Sequence, residues 1–126
     1  MIVQLVTDRH RLGPGERDAN RLRTCLLAQA RAAVAAGIDV LQVREPDLEA
    51  GALYALVAEL VSIAGGSSTR VVVNDRVDVA IAAGAAGVHL KGTSLSAARV
   101  RALSPRGFVI GCSVHDVRAA HDAAAH

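Results

Sequence analysis

The stretch that decides the fold is Asp39-Val40-Leu41-Gln42-Val43-Arg44, stopped by Pro46-Asp47, with Arg70-Val71-Val72-Val73 some thirty positions further on. Between them Leu48, Ala52, Leu53, Leu56, Val57, Leu60, Val61 and Ala64 recur at three- and four-residue steps and end at Gly65-Gly66-Ser67-Ser68. The outer runs are continuous Val and Leu rather than alternating, as parallel strands covered by helices are. The middle segment has the period of an amphipathic helix. Strand, helix and strand form one βαβ unit, and Asp47 is placed to cap its helix.

The same unit continues in both directions. Toward the N-terminus, Ile2 to Val6 is a strand and Leu12 to Asp18 a turn-rich break. A helix follows, with Leu22, Cys25, Leu26, Ala30, Ala33 and Val34 on its apolar stripe and Arg21, Arg23 and Arg31 on its wet face. Gly37 ends it, since glycine takes the left-handed conformation without steric cost. Toward the C-terminus come a short helix with Val77, Ala80 and Ile81, the strand Gly87 to Leu90, a helix from Leu95 to Leu103, the strand Phe108 to Cys112, and a fifth helix from His115.

Strict βα alternation with short loops leaves a doubly wound sheet or a (β/α)8 barrel. Ala35-Ala36-Gly37-Ile38-Asp39-Val40 is echoed by Ala82-Ala83-Gly84-Ala85-Ala86-Gly87-Val88, and no Gly-x-Gly-x-x-Gly follows the first strand. Both features favour the barrel. The expected class is therefore α/β, a TIM-type barrel represented by about five βα units. A complete barrel takes roughly 200 residues or more. Residues 1–126 are accordingly expected to form one partial barrel domain that stops within its fifth helix and exposes sheet edges. By themselves they are expected to be inactive and to associate through those edges.

Composition narrows the function. The 126 residues are 52% hydrophobic and 21% charged, a globular balance that excludes a disordered or solvating chain. Fourteen basic and twelve acidic residues, one Phe, one Tyr and no Trp offer neither a strong basic field nor a stacking platform, so nucleic acid is not expected as a partner. Cys25 and Cys112 stand alone, which fits a reducing cytoplasm and suggests no structural metal. Met1 to Asp8 lacks the pattern of a secretory leader, and no apolar run reaches the ~18 residues of a membrane span.

In a barrel, function lies at the C-terminal ends of the strands. The polar residues there are Asp8 and Arg9, Gln42 and Arg44, Asn74 and Asp75, His89, and Ser113 with His115. Several admit plain structural roles: His89 as an internally hydrogen-bonded strand residue, Arg44 as the partner of Glu45 or Asp75, and Asn74-Asp75 and Ser94 as helix caps. His115 with Asp116 reads equally as an exposed start of a helix. His121 and His126 lack the spacing that puts two imidazoles on one helix face.

Val6-Thr7-Asp8-Arg9, Leu41-Gln42-Val43-Arg44-Glu45, Val73-Asn74-Asp75-Arg76-Val77-Asp78-Val79-Ala80, Gly84 to Leu90, and Ile110-Gly111-Cys112-Ser113-Val114-His115 together resemble the thiamine-phosphate synthase/TenI family of (β/α)8 barrels over essentially the whole chain. The resemblance implies a small phosphorylated thiazole as substrate, bound by Arg44, Gln42, Asn74, His89 and Ser113, and leaves a homo-oligomer open. It also implies phosphate-holding glycine-rich loops that follow later strands.

The two branches of the family differ in the chemistry they need. A synthase joins a pyrimidine pyrophosphate to a thiazole phosphate and neutralises the leaving group with Mg²⁺ and basic side chains. Its strand-two motif continues to a lysine where this chain has Pro46. Its second metal carboxylate falls where this chain has Ser94, which leaves Asp75 without a partner. A thiazole tautomerase needs only a proton shuttle near working pH, and the resemblance places that role on His115. The expectation is a tautomerase with no cofactor; the alternatives are a synthase using Asp75 and Mg²⁺, or a thiazole-phosphate binder without turnover.

Overall fold

The β-branched runs form five strands, β1 (Gln4–Val6), β2 (Val40–Val43), β3 (Arg70–Asn74), β4 (Gly87–Leu90) and β5 (Val109–Cys112). Between them lie α1 (Arg9–Leu12), α2 (Ala19–Ala35), α3 (Ala50–Ala64), α4 (Val77–Ala82) and α5 (Ala97–Leu103). These elements come from a computed structural model that describes residues 1–92 and 94–112.

All neighbours pair in parallel, in the order β1-β2-β3-β4-β5. A doubly wound sheet reverses its strand order at a switch point. Unbroken chain order is the winding of a (β/α)8 barrel, as the repeat pattern predicts. With right-handed crossovers this order lays the helices against one face of the sheet.

That face is the core. Leu41, Val43, Val71, Val73, Val88 and Leu90 meet Leu26, Leu53, Leu56, Val57 and Leu60. Leu26, Leu41 and Leu60 are fully buried, and each such side chain contributes about 1.5–3 kcal/mol of transfer free energy. Because side chains alternate along a strand, the residues between them line the opposite, inner face. There one row runs Val6, Gln42, Val72, Gly87, Val109 across the register, and the next runs Asn74, His89, Gly111. A Cβ on Gly87 would sit 2.1 Å from the Val109 carbonyl oxygen, so only glycine lets β5 close against β4. One on Gly111 would sit 2.9 Å from His89 Nδ1, so the missing side chain makes room for the imidazole.

Several local expectations are corrected. The cap of α3 is Glu49, whose carboxylate accepts from the Ala52 amide, because Asp47 is held elsewhere. Ser96 rather than Ser94 caps α5, accepting from the Arg99 amide. Arg76 is the N-cap residue of α4 and makes no side-chain cap, and Asp75 beside it takes the left-handed conformation at φ 67°. Cys25 is exposed while Leu27 joins the buried stripe of α2. Arg23, on the wet face, pairs with Glu59 of α3 in a half-exposed ion pair. Gly37, at φ 82°, follows the end of α2 as expected, and Asp18, read only as part of the break, caps its start.

Candidate functional site

The C-terminal strand ends carry two clefts that share Glu45 and Pro46. The larger, about 660 Å³, is lined by Val6, Thr7, Asp8, His10, Arg11, Arg44 and Asp47 beside the shared pair. The smaller, about 120 Å³, lies among Val43, Asn74, Asp75, Arg76 and Lys91.

Gln42, Asn74 and His89 all belong to the inner face. Asn74 and His89 are register partners, and Gln42 pairs with Val72, two residues before Asn74. Val43 pairs with Val73, which sets Arg44, one residue on, level with Asn74. Gln42 is buried, Asn74 and His89 are half-buried, and Arg44 is exposed. Of the two readings open for Arg44, the internal ion pair is not formed: among the described residues no carboxylate pairs with its guanidinium, and Glu45 is taken by Arg9 and Asp75 by Lys91. Burial, and then the charge of Arg44, push the His89 imidazole below its ordinary value and favour its neutral form. Ser113 and His115 lie outside the described residues, as do Asp116, His121 and His126.

The β1 and β2 ends are joined by a polar network that the linear reading missed. Thr7 donates its hydroxyl to Glu45 at 2.6 Å, and the same oxygen accepts the Arg44 amide at 3.0 Å. Arg9 reaches Glu45 at 2.8 Å and forks onto both oxygens of Asp47 at 2.8 and 2.7 Å. His10 Nε2 lies 2.8 Å from Asp47. The Glu45 side chain is 1% exposed and that of Arg9 10%. The hydrogen bond to Arg9, and then that to His10, hold the Asp47 carboxyl well below the usual carboxylate range. The signal available in the sequence was an arginine just past one strand and an acid just past its neighbour.

At the β3 and β4 ends, Asp75 Oδ1 accepts the Ser94 hydroxyl and Oδ2 faces the Lys91 ammonium at 3.4 Å. Ser94 Oγ also accepts the Lys91 amide. Mg²⁺ takes near-octahedral oxygen ligands, with a carboxylate or two supplied by the protein. Here a single carboxylate already carries an ammonium and a hydroxyl. Among the described residues no group of three His, Cys, Asp or Glu side chains is placed to hold a metal ion. The residues around Asp75 do not fit a dedicated magnesium site.

Fold and rim thus define a segment of a (β/α)8 barrel that gathers polar side chains at the C-terminal ends of successive strands. The chain belongs to the family described as thiamine monophosphate synthase, whose profile matches residues 5–126. It is 45% identical over 96 residues to the thiamine-phosphate synthase of Methanoculleus marisnigri, covering 76% of this chain and 46% of that protein. It is 35% identical over 123 residues to that of Roseiflexus castenholzii, covering 98% and 50%. The solved thiamine phosphate pyrophosphorylase of Pyrococcus furiosus superposes with a TM-score of 0.80 at 26% identity, covering 98% of this chain and 55% of that one. The chain spans about half the length of the relatives it matches. Their names carry the synthase reaction and do not single out the tautomerase. No helix among the described residues is long and apolar enough to cross a membrane.

Proposed function

We propose that the chain supplies the β1 to β5 rim of an enzyme of thiamine biosynthesis, a transferase of the thiamine-phosphate synthase type that joins a pyrimidine pyrophosphate to a thiazole phosphate. The observation that carries this reading is the family match along residues 5–126. The rim supports it by turning Gln42, Arg44, Asn74 and His89 toward one face. Arg44, exposed and without a carboxylate partner among the described residues, grips phosphate oxygens with its planar fork. The leaving pyrophosphate carries away the electron pair of the bond that breaks, and Arg44 meets that charge. Gln42 and Asn74 orient the heterocycles through their amides, and His89 presents its imidazole on the same face.

A second reading rests on a separate observation, the Asp75 carboxylate engaged by Lys91 and Ser94 together with Pro46 at the end of the β2 motif. It is the tautomerase, in which His115 removes and redelivers a proton beside Ser113 with no metal. The two readings part in one assay on the full-length protein. Thiamine-phosphate formation from the two substrates supports the first. Isomerisation of the thiazole carboxylate phosphate that survives EDTA and is lost in His115→Ala supports the second and removes the first if no coupling is seen.

A further inference from the structure

Two features of the β1 and β2 ends call for one explanation. Glu45 is a carboxylate with a side chain 1% exposed, and a buried ion pair is a poor source of stability because desolvation offsets its Coulombic gain. Thr7 spends its hydroxyl in both directions, donating to Glu45 and accepting the amide of Arg44. The Thr7 amide in turn donates to the Gln42 carbonyl at 2.9 Å. The network is therefore tied on each side of Val43 to the main chain that carries Gln42 and Arg44.

We propose that Thr7 and Glu45 are positioning residues for Arg44. Glu45 is buried and held by Thr7 and Arg9, while Arg44, its neighbour in the chain, is exposed on the wall of the larger cleft. The hydrogen bond from the Arg44 amide to Thr7 Oγ1 then holds the main chain from which its guanidinium extends. A flexible side chain so anchored loses less freedom when it takes up an anion, which is the general gain from preorganisation. The inference rests on the reading of Arg44 as the residue that holds substrate phosphate.

The test is a double-mutant cycle read by calorimetric binding of inorganic pyrophosphate to the full-length protein, below every variant's melting transition. Arg44→Ala is expected to weaken binding by about tenfold or more. Thr7→Val, which keeps shape and removes both hydrogen bonds, is expected to weaken it about tenfold, and Thr7→Ser to stay within about twofold of the parent. In the Arg44→Ala background Thr7→Val should cost nothing further, because it acts through Arg44. Thr7→Ala runs through the same cycle and carries the test if the valine variant does not fold. Unchanged binding in Arg44→Ala refutes the reading of Arg44. Weakening by Arg44→Ala with none by Thr7→Val, or an equal Thr7→Val loss in both backgrounds, overturns the positioning role.

Discussion

The two halves of the rim are built on opposite plans. At the ends of β1 and β2, one buried carboxylate collects a hydroxyl, a backbone amide and a guanidinium, and the guanidinium extends the network to Asp47. At the ends of β3 and β4, half-exposed Asp75 holds a serine and an exposed lysine from a backbone twisted into the left-handed region. A buried hydrogen-bonded network is rigid because any one missing partner leaves charge unpaired in a poorly polarisable interior. An exposed pair is screened by water and salt and holds nothing firmly. One half is fixed before a ligand arrives, while the other can rearrange around it.

The largest effect that would test this contrast is Glu45→Ala. It leaves the Arg9 guanidinium without its buried partner and should cost about 3–5 kcal/mol, measured by urea unfolding. A loss under about 1 kcal/mol would put the two halves on the same footing. Asp47→Ala should cost less, about 1 kcal/mol, since its side chain is 51% exposed. Its acid dependence has a definite sign. The folded carboxyl titrates below its ordinary 3.8, so the contribution is whole above pH 3.8 and is lost as pH falls below it. Asp47→Asn should flatten that limb of an acid titration.

A gentler slope is expected from His89. Its folded value lies below 6.5, so stability is whole above pH 6.5 and declines as pH falls through that value, because the unfolded imidazole takes the proton more readily. His89→Gln should remove this component, and an unchanged slope between pH 7 and 5 would deny the burial of the ring. The smallest effect belongs to Asp75→Asn. Asparagine tolerates the left-handed backbone, and the lost ion pair is worth about 0–1 kcal/mol. A larger destabilisation would show that this half is as firmly built as the first.

Much of the fold was legible because hydrophobic period and turn residues are local properties. The run from Val40 to Arg44, the stripe from Leu53 to Ala64 and Gly37 at the end of α2 each declared their element without reference to the rest. Gln42, Arg44, Asn74 and His89 were singled out as candidates by a rule about strand ends, and the register sets Gln42, Asn74 and His89 on one face. The caps went wrong where a side chain had a better offer from far away. Asp47 is placed to cap α3 in sequence, yet Arg9 takes it from 38 positions upstream. Leu12 to Asp18 showed its break, but helix α1 before it was not anticipated. For Arg44 the sequence left an anionic ligand and an internal carboxylate equally open, and among the described residues the arginine that is buried against carboxylates is Arg9.

Strands that pair only with their immediate predecessors set the order in which this sheet can assemble. Each new βα unit has its template already in place, so pairing among these five strands never waits for a distant segment, and short loops keep the entropic barrier low. The tie between Thr7, Arg9 and Glu45 spans 36 to 38 residues and is complete as soon as β2 and its following turn exist. The first corner of the sheet can thus lock without any contact from the third strand or beyond.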